Sequence, residues 1–241
     1  MPRRPRWFLP DLPLHVIQRG NNRAPCFFAD EDYQFYLHWL HINAEKYGCA
    51  IHAYVLMTNH VHLLVTPKTK EGVSRLMQSL GRRYVQYINR FYKRSGTMWE
   101  GRFKACVVDA EAYLLHLYRY IELNPVRAGM VTDPADYRWS SYRHNGLGQV
   151  NKLINEHPLY QSLDRDQAKR QAAYRQLFRS ELDQEAVDDI RKAANRGQPL
   201  GGERFRETIE AAMGLKASLA RGRPKAGGGK SVIGEQLGFE I

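Results

Sequence analysis

Residues 49–66 read CAIHAYVLMTNHVHLLVT. Two runs rich in apolar and β-branched side chains, at 49–57 and 60–66, flank the short polar link Thr58-Asn59. Strand-forming runs separated by two turn residues are typical of a β-hairpin. The stretch therefore predicts two neighbouring antiparallel strands.

The second of these runs carries a pair of histidines. Because strand side chains alternate between faces, His60 and His62 project from one side while Val61, Leu63 and Val65 project from the other. The apolar side chains can be buried in a core, which leaves two imidazoles side by side at a spacing that fits one metal ion. A His-x-His pair on a strand is more often incidental than a ligand pair, so both interpretations stay open at this point.

The surrounding sequence predicts the order βαββαβ followed by a further helix. The predicted elements are a strand at 14–19, a helix at 30–47, the hairpin strands, a helix at 72–92, a strand at 99–108 and a helix at 110–123. We expect an α+β protein with a ferredoxin-like/RRM-like antiparallel sheet, helices on one face, and a helical C-terminal extension. The other sheet face would be left open, and His60 and His62 would stand on it.

The chain is strongly basic, with 36 Lys and Arg against 25 Asp and Glu and a formal net charge of +11. Such a charge favours a polyanionic partner, of which nucleic acid is the first candidate, although a generally basic surface has the same composition. The hydrophobic fraction of 43% is ample for a core.

Cysteine usage and hydropathy bear on the compartment. Cys26, Cys49 and Cys106 lack C-x-x-C spacing, which argues against a disulfide framework and against a thiolate zinc site. The arginine-rich start is interrupted by prolines and is not followed by the apolar region of a signal peptide. Apolar runs fall short of the roughly 18 residues that a membrane span needs. We therefore predict a cytoplasmic protein that does not act at a membrane.

The last helix of the predicted unit carries a candidate nucleophile. Tyr120 and Asn124 are one helical turn apart, so both side chains can face the same neighbour. A tyrosine that attacks phosphorus conserves the energy of the broken phosphodiester in a phosphotyrosine link. A free phenol has a pKa of about 10, so it needs help to react at neutral pH. A divalent cation held by two imidazoles and an amide oxygen would help by offsetting the phosphate charge. The alternative is that Tyr120, one of 14 tyrosines, simply packs in the core.

Four motifs in order carry a resemblance to a known family. They are Gln18-Arg-Gly-Asn21, the run from His52 to His62, Trp99-Glu-Gly-Arg-Phe-Lys104, and Tyr120-Ile-Glu-Leu-Asn-Pro-Val-Arg-Ala-Gly129. Together they resemble the single-tyrosine, His-hydrophobic-His transposases of the IS200-like family, and are most similar to its REP-associated tyrosine transposase branch. The resemblance covers roughly residues 5–145 and leaves out the C-terminal third.

The resemblance implies roles for individual residues. His60 and His62 would ligate Mg²⁺ or Mn²⁺, and Tyr120 would be the nucleophile. Asn124 would take the place of the third ligand, where the wider insertion-sequence transposases usually have Gln. Neighbouring Glu122 points to another helix face and is a poor substitute.

The resemblance also implies an activity. Members cleave single-stranded DNA beside imperfect palindromic hairpins, leaving a 5′-phosphotyrosine link and a free 3′-OH, so we expect a bacterial, nucleoid-associated endonuclease and strand transferase. The competing interpretation is a domesticated protein that binds hairpin DNA without cutting it. An RNA-binding RRM-like protein is the weaker alternative, because the aromatic RNP signature is missing.

Several basic side chains are candidate DNA contacts. They are Arg82, Arg83, Arg90 and Lys93 on the helix at 72–92, Arg102 and Lys104 on the strand at 99–108, and Arg221 and Arg223 in a run that resembles an AT-hook core. For any single one, a solvated charged surface is the alternative. Trp99 and Phe103 would either stack on unpaired bases or lie in the core.

The change of composition along the chain suggests three parts. We predict a transposase/endonuclease domain at 1–145, a helical extension at 146–215 and a flexible basic tail at 216–241. The protein would act as a monomer or as a homodimer.

Overall fold

The computed structural model describes residues 8–214. The strands are β1 (Leu14–Arg19), β2 (Cys49–Met57), β3 (His60–Pro67) and β4 (Lys104–Val107). The helices are α1 (Asp30–Lys46), α2 (Gly72–Phe91), α3 (Ala110–Glu122), α4 (Asn124–Arg127), α5 (Tyr142–Asn145), α6 (Pro158–Gln161), α7 (Gln167–Leu177), α8 (Gln184–Arg196) and α9 (Glu203–Met213). The order βαββαβ followed by a helix is therefore confirmed.

The four strands form one antiparallel sheet in the order β2-β3-β1-β4. This pairing is that of a ferredoxin-like unit, so the predicted α+β fold class is confirmed. The hairpin is present as well, because Met57 pairs with His60 across the two-residue link. In β2 the register shifts between Ile51 and Ala53, so strict alternation of faces fails there.

The helices within the ferredoxin-like unit, α1 and α2, pack on one face of the sheet. The β3 side chains on this face, Val61, Leu63 and Val65, are almost fully buried. Tyr84 of α2 contributes to an aromatic cluster, with its ring centroid 5.2 Å from that of Tyr36 and 5.8 Å from that of Trp99. The cluster places Trp99 in the core and not on a base-stacking surface.

The second face of the sheet is not left open. There α3 packs against β2 and β3, and α8 packs against β4 and β1. His15 and Leu64, which project to this face, are completely buried, and His62 is only 4% exposed. The expectation of an open face was wrong because the apolar stripe of α8, which includes Val187 and Ile190, needs a partner and the sheet offers one.

The fourth strand is shorter than the predicted 99–108. Gly101 has a φ of 67°, a left-handed conformation that interrupts an extended run. Trp99 makes only an isolated bridge with Gly20 before the chain turns. Phe103, directly before β4, is 9% exposed and belongs to the core.

Segments that follow α4 close both outer edges of the sheet. Along β2, the backbone N–H of Leu56 donates to the carbonyl of Trp139 at 2.9 Å. Beside β4, Leu200 donates to the carbonyl of Val107 and accepts from the N–H of Asp109, both at 2.7 Å. Free strand edges invite pairing with other chains, and these contacts remove that exposure.

The C-terminal extension is helical, as predicted. Helices α7, α8 and α9 all lie within residues 146–215, the predicted helical extension. The shorter α4, α5 and α6 were not predicted, because a single helical turn gives no periodic signal. Among residues 8–214, no helix is both long and apolar enough to cross a membrane. The predicted basic tail at 216–241 lies outside the described residues.

Candidate active site

Strand β3 presents two imidazoles toward α3. The ring centroids of His60 and His62 are 5.0 Å apart. Nδ1 of His60 lies 2.6 Å from Oδ1 of Asn59, whose amide nitrogen donates to the carbonyl of Arg23 at 3.0 Å. Because the amide is held in this direction, Nδ1 of His60 is the donor and its Nε2 lone pair remains free.

A third histidine, not singled out in the sequence, contacts this pair. His15 lies on β1, and its Nε2 is 2.8 Å from Nδ1 of His62. Burial lowers the pKa of His15 to about 3 and that of His60 to about 4, and it also lowers the pKa of His62. The three rings are therefore neutral near pH 7, which is the state in which an imidazole ligates a metal.

Helix α3 places Tyr120 above these rings. The centroid of the Tyr120 ring is 5.8 Å from that of His62 and 5.9 Å from that of His15, both in edge-to-face geometry. Cζ of Arg127, from α4, lies 4.4 Å from the centroid of the Tyr120 ring. The side chain is 6% exposed, but it is buried among imidazoles and a guanidinium and not in a purely apolar core. A phenol, two candidate metal ligands and a cation thus meet at one place.

Two polar neighbours of Tyr120 have different surroundings. Asn124 begins α4, one turn beyond Tyr120, and is 8% exposed. Glu122 is completely buried on another side, where its carboxylate accepts three side-chain hydrogen bonds. The donors are Ser141 Oγ at 2.5 Å, Asn145 Nδ2 at 2.8 Å and Tyr174 Oη at 2.6 Å. Glu122 is therefore engaged in packing, in agreement with its rejection as a ligand.

The donor set at the site fits a divalent cation that works on phosphates. His60 has a free Nε2, and Nδ1 of His62 is already hydrogen-bonded, which leaves Nε2 of His62 as its available ligand atom. Residues 8–214 contain no cluster of three His, Cys, Asp or Glu side chains that would form a complete protein cage. The remaining ligands would be oxygens from the Asn124 amide, water and substrate phosphate, a mixture that suits Mn²⁺ or Mg²⁺ better than structural zinc.

The predicted DNA contacts on α2 form a surface away from the histidines. Arg82, Arg83, Arg90 and Lys93 are all exposed on α2 or directly after it. Arg82 and Arg83 line a groove of about 360 Å³ together with Arg75. Cζ of Arg83 also lies 3.6 Å from the centroid of the Trp39 ring. Because α2 covers the opposite face of the sheet, the structure does not bring these residues to the candidate site.

A second basic group lies beside the histidines. Exposed Arg102 and Lys104 line a narrow cleft with Arg19, whose strand position pairs with that of His60. After burial, the charge of Arg19 is the next cause of the lowered pKa of His60. Nζ of Lys104 donates to Oδ1 of Asn195 on α8 at 3.0 Å. Arg221 and Arg223, the AT-hook-like pair, lie outside the described residues.

His15, Arg19 and Arg127 were not predicted as site residues. His15 and Arg19 stand four residues apart on β1, so period-2 alternation already placed them on one face. Whether that face is shared with His62 depends on the register between β1 and β3, which the local sequence does not contain. Arg127 lies within the fourth motif, and its basic character next to Tyr120 was an available signal.

Comparisons with known proteins agree with this geometry. A family model described as "Transposase IS200 like" matches residues 9–124. No curated protein matches the sequence. The solved structure of a REP-associated tyrosine transposase bound to a REP hairpin is similar with a TM-score of 0.53 and 18% identity, over 65% of this chain and 93% of that one.

A second solved structure, a provisionally assigned transposase from Deinococcus radiodurans R1, has 23% identity. It covers 50% of this chain and 95% of its own, with a TM-score of 0.36, and supports no argument. The first likeness shows a shared fold. Residues 9–124, just under half of the chain, match the model of the IS200-like transposase family.

Proposed function

We propose that the protein is a metal-dependent DNA endonuclease and strand transferase that cleaves single-stranded DNA next to hairpins. The observation that carries this proposal is the position of the Tyr120 ring, 5.8 Å from that of His62, which is itself 5.0 Å from that of His60. The match of residues 9–124 to a transposase family model supports a DNA-processing enzyme. The fold shared with a REP-associated transposase bound to a hairpin supports hairpin DNA as the substrate.

Tyr120 acts as the nucleophile in this mechanism. Its phenolic oxygen forms a bond to the phosphorus of the scissile phosphodiester, and the bond from phosphorus to the 3′-oxygen breaks. The phenol loses its proton and the leaving oxygen gains one, so the products are a 5′-phosphotyrosine link and a free 3′-OH. Because the link replaces one phosphodiester with another, a second 3′-OH can attack it, which is strand transfer.

The histidines and Arg127 assist at the phosphate. His60 and His62 would hold Mg²⁺ or Mn²⁺ through their Nε2 atoms, with Asn124 completing or supporting the site. The bound cation would polarise the scissile phosphate and offset its negative charge. Arg127, which lies against the Tyr120 ring, is placed to attract the same phosphate to the phenol.

The two basic surfaces would bind different parts of the substrate. Arg102, Lys104 and Arg19 border the histidines, so they are placed to guide the strand that enters the site. The exposed arginines of α2 lie on the opposite face and are free to contact phosphates of a hairpin stem. Arg221 and Arg223 of the tail would add a minor-groove contact.

A covalent-adduct assay tests the proposal. The full chain is incubated with Mn²⁺ and a labelled library of hairpin oligonucleotides, and the products are separated on a denaturing gel. We expect a protein–DNA adduct with the wild type and none with Tyr120→Phe, because the variant lacks the attacking oxygen. Tyr113→Phe, on the same helix but hydrogen-bonded to Asp189, is the matched control and should keep the adduct.

The second arm separates chemistry from binding. His60→Ala with His62→Ala should abolish cleavage and leave most of the hairpin affinity, since phosphate contacts are made by other residues. If the wild type binds hairpins but never yields an adduct or a nick across the library, the protein is a non-catalytic binding module. An adduct that persists in Tyr120→Phe would assign the nucleophile to another residue.

A further inference from the structure

We propose that His15 is the positioning residue of the metal site: it accepts the Nδ1 proton of His62 and so leaves Nε2 of His62 free for the cation. This inference rests on the proposed function, because it concerns the same metal site. The contact is direct, with 2.8 Å between Nε2 of His15 and Nδ1 of His62. Both rings are buried and nearly parallel, with an interplanar angle of 16°.

The direction of this hydrogen bond follows from tautomer chemistry. A neutral imidazole carries one N–H, so a ring that ligates through Nε2 carries its proton on Nδ1. In His62 that proton faces Nε2 of His15, which must then be the acceptor. With the reverse direction, the proton of His62 would sit on Nε2 and occupy the ligand position. The metal-binding form of His62 therefore requires one particular tautomer of His15.

The two candidate ligands differ in how their tautomers are set. His60 faces the amide oxygen of Asn59, which can only accept, and the amide is held by its bond to the carbonyl of Arg23. His62 instead faces another imidazole, which can accept or donate. Both candidate ligands form hydrogen bonds through Nδ1, so both have Nε2 available for a metal ion. Only for His62 does this depend on the tautomer of a second imidazole.

The second ring nitrogen of His15, Nδ1, also indicates a specific role for this residue. Nδ1 of His15 is buried and has no hydrogen-bond partner in the described part of the chain. A buried polar atom without a partner is costly and persists in few places without a reason. Here the completely buried ring lies beside the Tyr120 ring, and its one side-chain hydrogen bond is to a candidate ligand.

The test compares acceptor-keeping and acceptor-free substitutions. His15→Gln offers a side-chain oxygen near the position of Nε2, whereas His15→Leu offers none. Mn²⁺ binding to the metal-free full chain is measured by electron paramagnetic resonance, without DNA. We expect His15→Leu to weaken Mn²⁺ binding about 10- to 100-fold, the usual effect of losing a partner behind a ligating histidine, and His15→Gln to restore most of it.

A matched control and a second measurement make the result decisive. His52→Leu removes another buried histidine, bonded to the Asn155 carbonyl and Thr66 Oγ1, and should leave Mn²⁺ affinity unchanged. Long-range ¹H–¹⁵N spectra of the wild type with Mg²⁺ should show the His62 proton on Nδ1, which needs no variant to fold. Equal Mn²⁺ affinity in wild type and His15→Leu, or a proton on Nε2 of His62, overturns the role of His15. A wild type that binds no Mn²⁺ overturns the proposed metal site itself.

Discussion

At the scale of single residues, Glu122 links helix α3, which carries Tyr120, to the C-terminal extension. It follows Tyr120 by two positions, yet its carboxylate is completely buried and accepts hydrogen bonds from α5 and α7. Burial raises its pKa to about 7, and hydrogen bonds from Ser141, Tyr174 and Asn145 oppose that shift. The charge of this buried carboxyl group, on the same helix as Tyr120, therefore changes near neutral pH.

Glu122→Gln should remove this sensitivity. In the unfolded chain, a glutamate has a pKa of about 4.3. Between that pH and about 7, the folded protein therefore holds a proton that the unfolded chain has released. The free energy of unfolding therefore falls as pH rises through this window, and the loss is complete above the folded pKa. In urea unfolding, we expect the variant to be as stable as the wild type at pH 5 and more stable by on the order of 2 kcal/mol at pH 8.

The surface variant Glu207→Gln is the control, because Glu207 is exposed on α9 and should show the same difference from wild type at both pH values. Parallel pH profiles for wild type and Glu122→Gln would contradict the assignment. Sequence alone predicted the direction in which Glu122 points. It did not predict the partners, since Tyr174 lies 52 positions away and only tertiary packing brings the two together.

At the scale of elements, the sequence predicts correctly those strands whose ends are set by neighbouring residues. The bounds of β1 and β2 agree with the sequence prediction, because their apolar runs end at Gly20 and at the Thr58-Asn59 link. The strand β4 and the covered second face do not agree. The first depends on the conformation of Gly101, and the second on contacts between α8 and strands far away in sequence.

Helix α2 provides a test of the DNA-binding assignment. Arg82 and Arg90 are exposed, whereas Arg83 also packs on Trp39, so the double variant Arg82→Ala, Arg90→Ala removes charge with little loss of packing. If both residues contact phosphates, the slope of log affinity for hairpin DNA against log salt concentration should become shallower by about 2. Arg204→Ala, exposed on α9, is the control and should leave the slope unchanged. An unchanged slope in the double variant would mean that α2 presents only a solvated charged face.

At the scale of the whole molecule, the extension is part of the same core as the transposase unit. Tyr118 of α3 packs with Tyr160 and Tyr174, and all three rings are almost fully buried. Asn155 donates its N–H to the carbonyl of Ile51 at the edge of β2, and Leu200 pairs beside β4. No pattern within residues 1–145 announces these contacts, because their partners lie after residue 145. The predicted boundary after residue 145 therefore divides a continuous core.

Truncation tests whether that boundary marks an independent unit. A chain of residues 1–145 keeps the site residues but loses Tyr160 and Tyr174, which pack on Tyr118, and Leu200, which covers the edge of β4. It keeps Ser141 and Asn145 as partners of Glu122. Each aromatic ring that loses its partners exposes a large apolar area to water. Uncovered strand edges also favour association between chains. We expect this fragment to aggregate or to unfold at a midpoint lowered by at least about 10 °C, as measured by circular dichroism. A chain of residues 1–214 keeps every described contact and should unfold like the full protein. A fragment of residues 1–145 that unfolds cooperatively at the full-length midpoint would show that the extension is an addition to a self-sufficient domain, and the shared tyrosine core would then contribute little to stability.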